Sequence, residues 1–335
     1  MTDKNALTAQ TPLAEAVRQA LQAQLEIVIV QLKKAASEDR TEAADGVHDA
    51  RVALRRALAL LTYTGPWIDA RWVKKRCKSY RGLFGLLGKV RDADIASERA
   101  AACCATDDDG AALLLAALDK RCDKLHKALQ KQLADKKTLQ LLGRELAAVA
   151  SADALLAMLP VPVTNRGQVR LFELADVLPG MLGQALGCLT VYRRVIGAPD
   201  AVSSQDVLHQ LRLAGKDLRD LILFARPCLD EKADELVQDL RQIQQTLGGW
   251  HDTVVAQNQL GKLAADLQKE EAARRWLDFE SARGQDLIKA FYAVWVKMTP
   301  GCLRQQLSAA LAALELPSGG CACCSGCGGQ PEPAG

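Results

Sequence analysis

Aromatic residues are scarce: Phe, Trp and Tyr together make up 4% of this 335-residue chain. The five Trp and five Phe form no repeated stacking platform of the kind that holds single-stranded nucleic acid. Alternating apolar and polar runs, the mark of strands, are missing, and so is any apolar run of about 18 residues that would read as a membrane span. The N-terminal stretch lacks a basic start followed by an apolar core and a small-residue cleavage site, so the expectation is a soluble cytoplasmic protein with no membrane partner. A nucleotide-binding P-loop is excluded too. "GLFGLLGKV" places five residues rather than four between Gly82 and Gly88 and has no Ser or Thr after Lys89.

What is present favours helix. Apolar residues are 49% of the chain, with heavy use of Ala, Leu and Gln, which lose little rotamer freedom in helices. Apolar positions return every three or four residues, as in Leu13, Val17, Leu21, Leu25, Val28 and Leu32. This periodicity predicts an all-α protein with helices over about 12–37, 46–63, 69–104, 109–134 and 138–158, and then about 170–197, 203–226, 230–263, 266–297 and 302–314. Breaks are expected at "GPW" (65–67) and "TDDDG" (106–110).

The second series repeats the first at a spacing of about 160 residues. Lys33-Lys34 matches Arg193-Arg194, His48 matches His209, Leu87-Gly88 matches Leu247-Gly248, and Arg91-Asp92 matches His251-Asp252. The organisation read from this is a first helical-bundle repeat over 8–158, a linker over 159–169, a second repeat over 170–316 and a Gly/Cys-rich tail over 317–335. Four main antiparallel helices per half make two four-helix bundles related by a pseudo-twofold axis. Gly85, Gly88, Gly248 and Gly249 are expected to interrupt or bend the third helix of each half, a close helix approach being one reason that compensates for their cost.

The net charge of +3 hides a local excess of cations between His48 and Arg91. In "VHDARVALRR" (47–56), His48, Arg51 and Arg55 fall within about 60° of one another on a helix, with Arg56 beside them. In "LHQLRLAGKDLR" (208–219), His209, Arg212, Lys216 and Arg219 span about 80°. A further basic series, Lys74, Lys78 and Arg81, follows at the same spacing. A solvated helix face would alternate signs to gain pairs one turn apart. These ridges lack neighbouring Glu and so call for a counter-anion. His48 and His209 stand at the starts of their helices, where an imidazole can donate to an anion when neutral and pair with it when protonated.

"VHDARVALRR", "LFGLLGKVRDADI", "LHQLRLAGKDLR" and "IQQTLGGWHDTVV", in this order, spacing and duplication, resemble the repeated signature of the CHAD family of histidine-containing α-helical domains. The resemblance implies two four-helix bundles around a basic central channel that binds inorganic polyphosphate. It also implies cytoplasmic association with polyphosphate granules, with granule proteins as further partners. Carried over by position, the binding residues are His48, Arg51, Arg55 and Arg56, then His209, Arg212, Lys216 and Arg219, with Lys89 and Arg91 in the "LLGKVRD" turn. Lys74, Lys78, Arg81 and Arg194 join them as basic residues in matching register. The second half departs from the pattern, with Gly249 in place of Lys89, His251 in place of Arg91, and Asp234, Glu235 and Gln238 opposite Lys74, Lys75 and Lys78.

The reading is therefore a non-catalytic polyphosphate binder that needs no cofactor. Two alternatives stand beside it. A metal-dependent phosphohydrolase is suggested by His48-Asp49 and His251-Asp252, with Asp92 and Asp94 nearby, but the further ligands such sites need are missing. A nucleic-acid-binding helical protein would also use a basic groove. Of the eleven cysteines, those in helical patterns read as reduced thiols. Cys321, Cys323, Cys324 and Cys327 in the tail have the softness to hold one metal ion, although their spacing is not that of two separated knuckles.

Overall fold

The protein is described here from a computed structural model, for residues 7–103, 109–135, 137–151, 158, 172–196 and 204–314. Among these residues the regular structure is all helix: α1 (Leu13–Ala35), α2 (Arg40–Thr64), α3 (Ala70–Cys103), α4 (Asp109–Ala134), α5 (Lys137–Ala150), α6 (Leu174–Thr190), α7 (Gln205–Ala225), α8 (Ala233–Leu267), α9 (Glu270–Trp295) and α10 (Pro300–Leu311). The linker expected over 159–169 and the tail over 317–335, with Cys321, Cys323, Cys324 and Cys327, lie outside the described residues.

The repeat extends to local detail. One-turn 3-10 segments, Gly65–Trp67 and Arg226–Cys228, follow α2 and α7, each with a proline in its first positions, where the missing N–H costs nothing. Caps set the helix starts. The Asp39 carboxylate accepts from the Glu42 backbone N–H at 2.8 Å, which begins α2 six residues before the apolar period becomes regular at Gly46. Ser204 caps α7 in the same way through Val207. At the other end of α8, Gln268 takes φ 55° and stops the helix in the left-handed manner.

Leu21, Leu25, Val28 and Leu32 of α1 are fully buried, and each such side chain is worth about 1.5–3 kcal/mol of transfer free energy. α1 packs along α2 so closely that a Cβ on Gly46 would lie 2.5 Å from the Ala35 amide nitrogen. The expectation that glycines interrupt the third helices does not hold, because α3 and α8 run unbroken through them. Close approach accounts for two: a Cβ at Gly88 would sit 2.8 Å from Arg51 Nη1, and one at Gly249 would sit 3.2 Å from Leu287.

Across the seam between the halves equivalent helices meet, α2 against α7, α3 against α8 and α4 against α9. The core does not divide with them. One buried apolar cluster runs through both halves from Leu13 to Leu314, and a smaller one joins Ala96, Leu114 and Leu118 to Leu260 and Trp276. The segment Leu174–Arg194 is apolar and long enough for a membrane span by composition alone, yet 56% of that window is packed inside the protein, as befits a core helix. The described cysteines Cys77, Cys122, Cys188, Cys228 and Cys302 are unpaired.

Candidate functional site: a charged seam between the halves

The basic rows of α2 and α7 face each other across the seam. Arg55 donates through Nε to Asp220 Oδ2 at 3.0 Å, Arg219 donates to Asp220 Oδ1 at 3.0 Å, and Arg56 approaches the same carboxylate at 4.0 Å. Arg219 also hydrogen-bonds the buried Gln244 of α8. Asp220 is thus a buried anion shared by arginines of both halves. A second brace lies further along, where Arg99 of α3 donates to the buried Glu280 of α9 at 2.9 Å.

Between these braces, Arg51 lies against Gly88 with its guanidinium 4.7 Å above the Phe84 ring. Burial lowers its pKa, with Asp92 opposing and Arg91 and Arg55 adding to the shift. Burial pushes the Arg212 guanidinium down to about 10, so it stays charged at neutral pH; Asp252 opposes the shift, while Arg55 and Arg51 reinforce it. Lys216 responds most in practice: burial and then the charges of Arg212, Arg55 and Arg219 bring its ammonium down to about 7.

The carboxylates of the seam are pushed the other way. Burial raises Asp92 and Asp252, and each is pulled back by arginine, Asp92 first by Arg51 and Asp252 first by Arg212. Asp217 is raised to about 6 by burial and by Asp220. The imidazoles stay neutral at pH 7. Burial, Arg212, the neighbouring His209, Lys216 and Arg51 bring His251 down to about 3, and its ring centroid is 4.7 Å from that of His209. His209 is lowered by burial and Arg212. His48 is exposed at the edge of the row, where partial desolvation and the Arg91 charge lower it as well.

Two buried donors here, Arg51 Nη1 and Arg212 Nε, have no acceptor among the described residues, and the buried ring atom His209 Nδ1 has no hydrogen-bond partner among them either. A buried polar atom without a partner is costly. What the geometry can do is receive an anion with several acceptor oxygens.

The other expected positions fall outside this inner cluster. Arg91 pairs with Glu98 at 3.0 Å while also acting on His48 and Asp92. Lys74, Lys78, Arg81 and Lys89 are exposed on α3. At about 100° per residue Lys74, Lys78 and Arg81 share a stripe with Gly88 and Asp92, with Lys89 to one side of it, so the three extend a basic surface about 21 Å outward from Gly88. On α8 the equivalent stripe begins with Asp234, and its charge is taken up by Arg226 at 2.8 Å. Arg194 is exposed on the 3-10 turn Val191–Arg194, while Arg193 turns inward to the Trp295 and Met298 carbonyls and stacks on the Trp295 ring.

Sequence reasoning missed Asp217 and Asp220. Both stand in "LAGKDLRD", beside Lys216 and Arg219, and that was the available signal: the ridge lacks Glu but carries Asp. The ridge carries its own partial counter-charge, and that charge doubles as a brace.

The sequence model of the CHAD domain matches residues 9–261. The chain belongs to the CHAD domain family. Among solved structures it is similar to the CHAD domain from the plant Ricinus communis, at 19% identity over 91% of this chain and 94% of that one, with a TM-score of 0.63. It is also similar to PptA from Streptomyces chartreusis, at 16% identity over 89% of this chain and 100% of that one, with a TM-score of 0.53. A comparison with curated proteins finds no match. At these identities the two structures speak for the shared fold alone, and Arg51, Arg55, Arg212, Lys216 and Asp220 fall within the residues the family match covers, whereas Glu280 lies beyond them.

Proposed function

We propose that this CHAD protein binds inorganic polyphosphate in the seam between its halves, without catalysing a reaction on it. The observation that carries this reading is the pair of buried, unpartnered donors Arg51 Nη1 and Arg212 Nε, beside the unpartnered His209 Nδ1 and flanked by Lys216 and Arg55. Phosphate oxygens meet arginine's planar fork in pairs and lysine as a point charge. The exposed stripe of Lys74, Lys78 and Arg81 favours a chain longer than one phosphate, because each surface contact is weak alone and adds through multivalency. Membership of the CHAD family supports the same reading. In the cell the protein would sit in the cytoplasm in association with polyphosphate granules.

The test is a titration of the purified protein with polyphosphates of defined length at several salt concentrations, with product analysis and RNA as competitor. Affinity should fall by about 0.7 log units per log unit of salt for each phosphate neutralised, if single-stranded nucleic acid is a fair guide. Orthophosphate should compete poorly. Equal affinity for orthophosphate and long chains, displacement by RNA at equal phosphate concentration, or shortening of the polymer would each overturn the reading.

A further inference from the structure

Away from the seam, Cys122 and His126 stand one turn apart on α4 and so share a face of that helix. Asp94 of α3 meets them there. Cys122 Sγ donates to Asp94 Oδ1 at 3.2 Å and His126 Nε2 lies 2.7 Å from the same oxygen. All three residues are buried, with Cys122 fully so, Asp94 3% exposed and His126 6% exposed. We propose that Asp94, Cys122 and His126 form a binding site for one divalent metal ion of the zinc class.

Thiolate, imidazole and carboxylate are the ligand types that zinc takes in proteins. One donor atom from each of the three side chains lies within 4.8 Å of the other two. Ligands at about 2.0–2.3 Å from a tetrahedral ion stand about 3.3–3.8 Å apart, so small side-chain adjustments would seat one. The protein leaves spare lone-pair capacity: Asp94 Oδ2 and His126 Nδ1 are buried and have no hydrogen-bond partner among the described residues. On binding, the thiol would release its proton to solvent, and thiolate and carboxylate together would balance the charge of the ion. A buried charge compensated in this way avoids the cost of an isolated one. A fourth position remains for water or the second Asp94 oxygen. Arg40 bridges to Asp119 at 3.0 Å and Asp123 at 3.7 Å and also reaches the Cys122 sulfur, so a bound ion would require its guanidinium to stay with the two outer carboxylates.

The tail thiols would confuse a metal titration, so the test uses the full chain carrying C321S, C323S, C324S and C327S. Titration with Co2+ should saturate at one equivalent with a thiolate-to-cobalt charge-transfer band. Cys122→Ser should abolish that band, and Asp94→Asn, which keeps the side-chain shape, should weaken binding at least tenfold. Cys77→Ser, at a buried thiol elsewhere, should leave it unchanged. X-ray absorption of the zinc-loaded protein should show one sulfur at about 2.3 Å with nitrogen and oxygen at about 2.0–2.2 Å. No saturable binding, a band that survives Cys122→Ser, Asp94→Asn binding as tightly as the parent, or a zinc shell without sulfur would overturn the proposal. If Cys122→Ser does not fold, Asp94→Asn and the absorption spectrum decide.

Discussion

Arg55 on α2 and Asp220 on α7 are 165 residues apart in the chain and 3.0 Å apart in space. Because the Asp220 side chain is 1% exposed, this contact holds an anion that water cannot reach, and it joins the halves at the charged seam. The cations of these rows are therefore not freely removable.

Arg55→Ala should cost about 1.5–3 kcal/mol of unfolding free energy, since Arg219 still holds the other Asp220 oxygen. Asp220→Ala should cost more, about 3–5 kcal/mol, because Arg55 and Arg219 then lose their shared partner. The double mutant should recover part of the loss. Denaturant unfolding of the three variants measures the coupling, and strictly additive losses would show that the brace is idle.

Binding should follow Lys216 in pH. Its folded pKa, about 7, lies below the ordinary lysine value, so in the window from about 7 to the unfolded value the unfolded chain holds the extra proton and stability rises with pH. A polyanion prefers the charged form, so polyphosphate affinity should move oppositely, falling as pH rises through about 7, with proton uptake on binding. Calorimetry in buffers of different ionisation enthalpy reads this uptake. Lys216→Met should abolish most of it.

Inner and outer cations should differ in what they measure. Arg51→Ala combined with Arg212→Ala should weaken short and long polyphosphates alike by tenfold or more, as expected for charge-assisted hydrogen bonds of about 1.5–3 kcal/mol. Neutralising Lys74, Lys78 and Arg81 together should weaken long chains and spare short ones. Length-resolved affinities decide it, and equal loss at every length would remove the outer stripe from the site.

The α1–α2 contact offers a stability test independent of charge. Gly46→Ala should cost about 1–3 kcal/mol, because its Cβ would meet the Ala35 nitrogen at 2.5 Å and the Gln31 oxygen at 2.7 Å, both backbone atoms. Gly85→Ala, with nothing within 4 Å, should instead gain about 0.5–1 kcal/mol in thermal or denaturant unfolding.

The helices, the repeat and the placement of His48, Arg51, Arg55, Arg212 and Lys216 on facing rows were legible because periodicity records which side of a helix is buried and duplication marks equivalent positions. The starts of helices were less so: α2 begins at Arg40 because one carboxylate caps it, a choice that apolar spacing does not register. The acidic partners were hidden for a different reason. Asp220 matters through Arg55, and Asp94 through Cys122 and His126 on another helix, so their roles arise only when the chain has closed. The expected interruptions of the third helices failed, since α3 and α8 run through their glycines, and at Gly88 the missing side chain makes room for the Arg51 head group.

Asp92 and Asp94 stand two residues apart on α3, about 200° around its axis. The first lies among the arginines of the seam, and the second is buried against α4 with Cys122 and His126. Since α3 is one unbroken rod, it cannot roll to withdraw Asp92 from Arg51 without dragging Asp94 away from its thiol and imidazole. The two carboxylates act as opposite spokes of a single axle, and whatever clamps one sets the angle of the other.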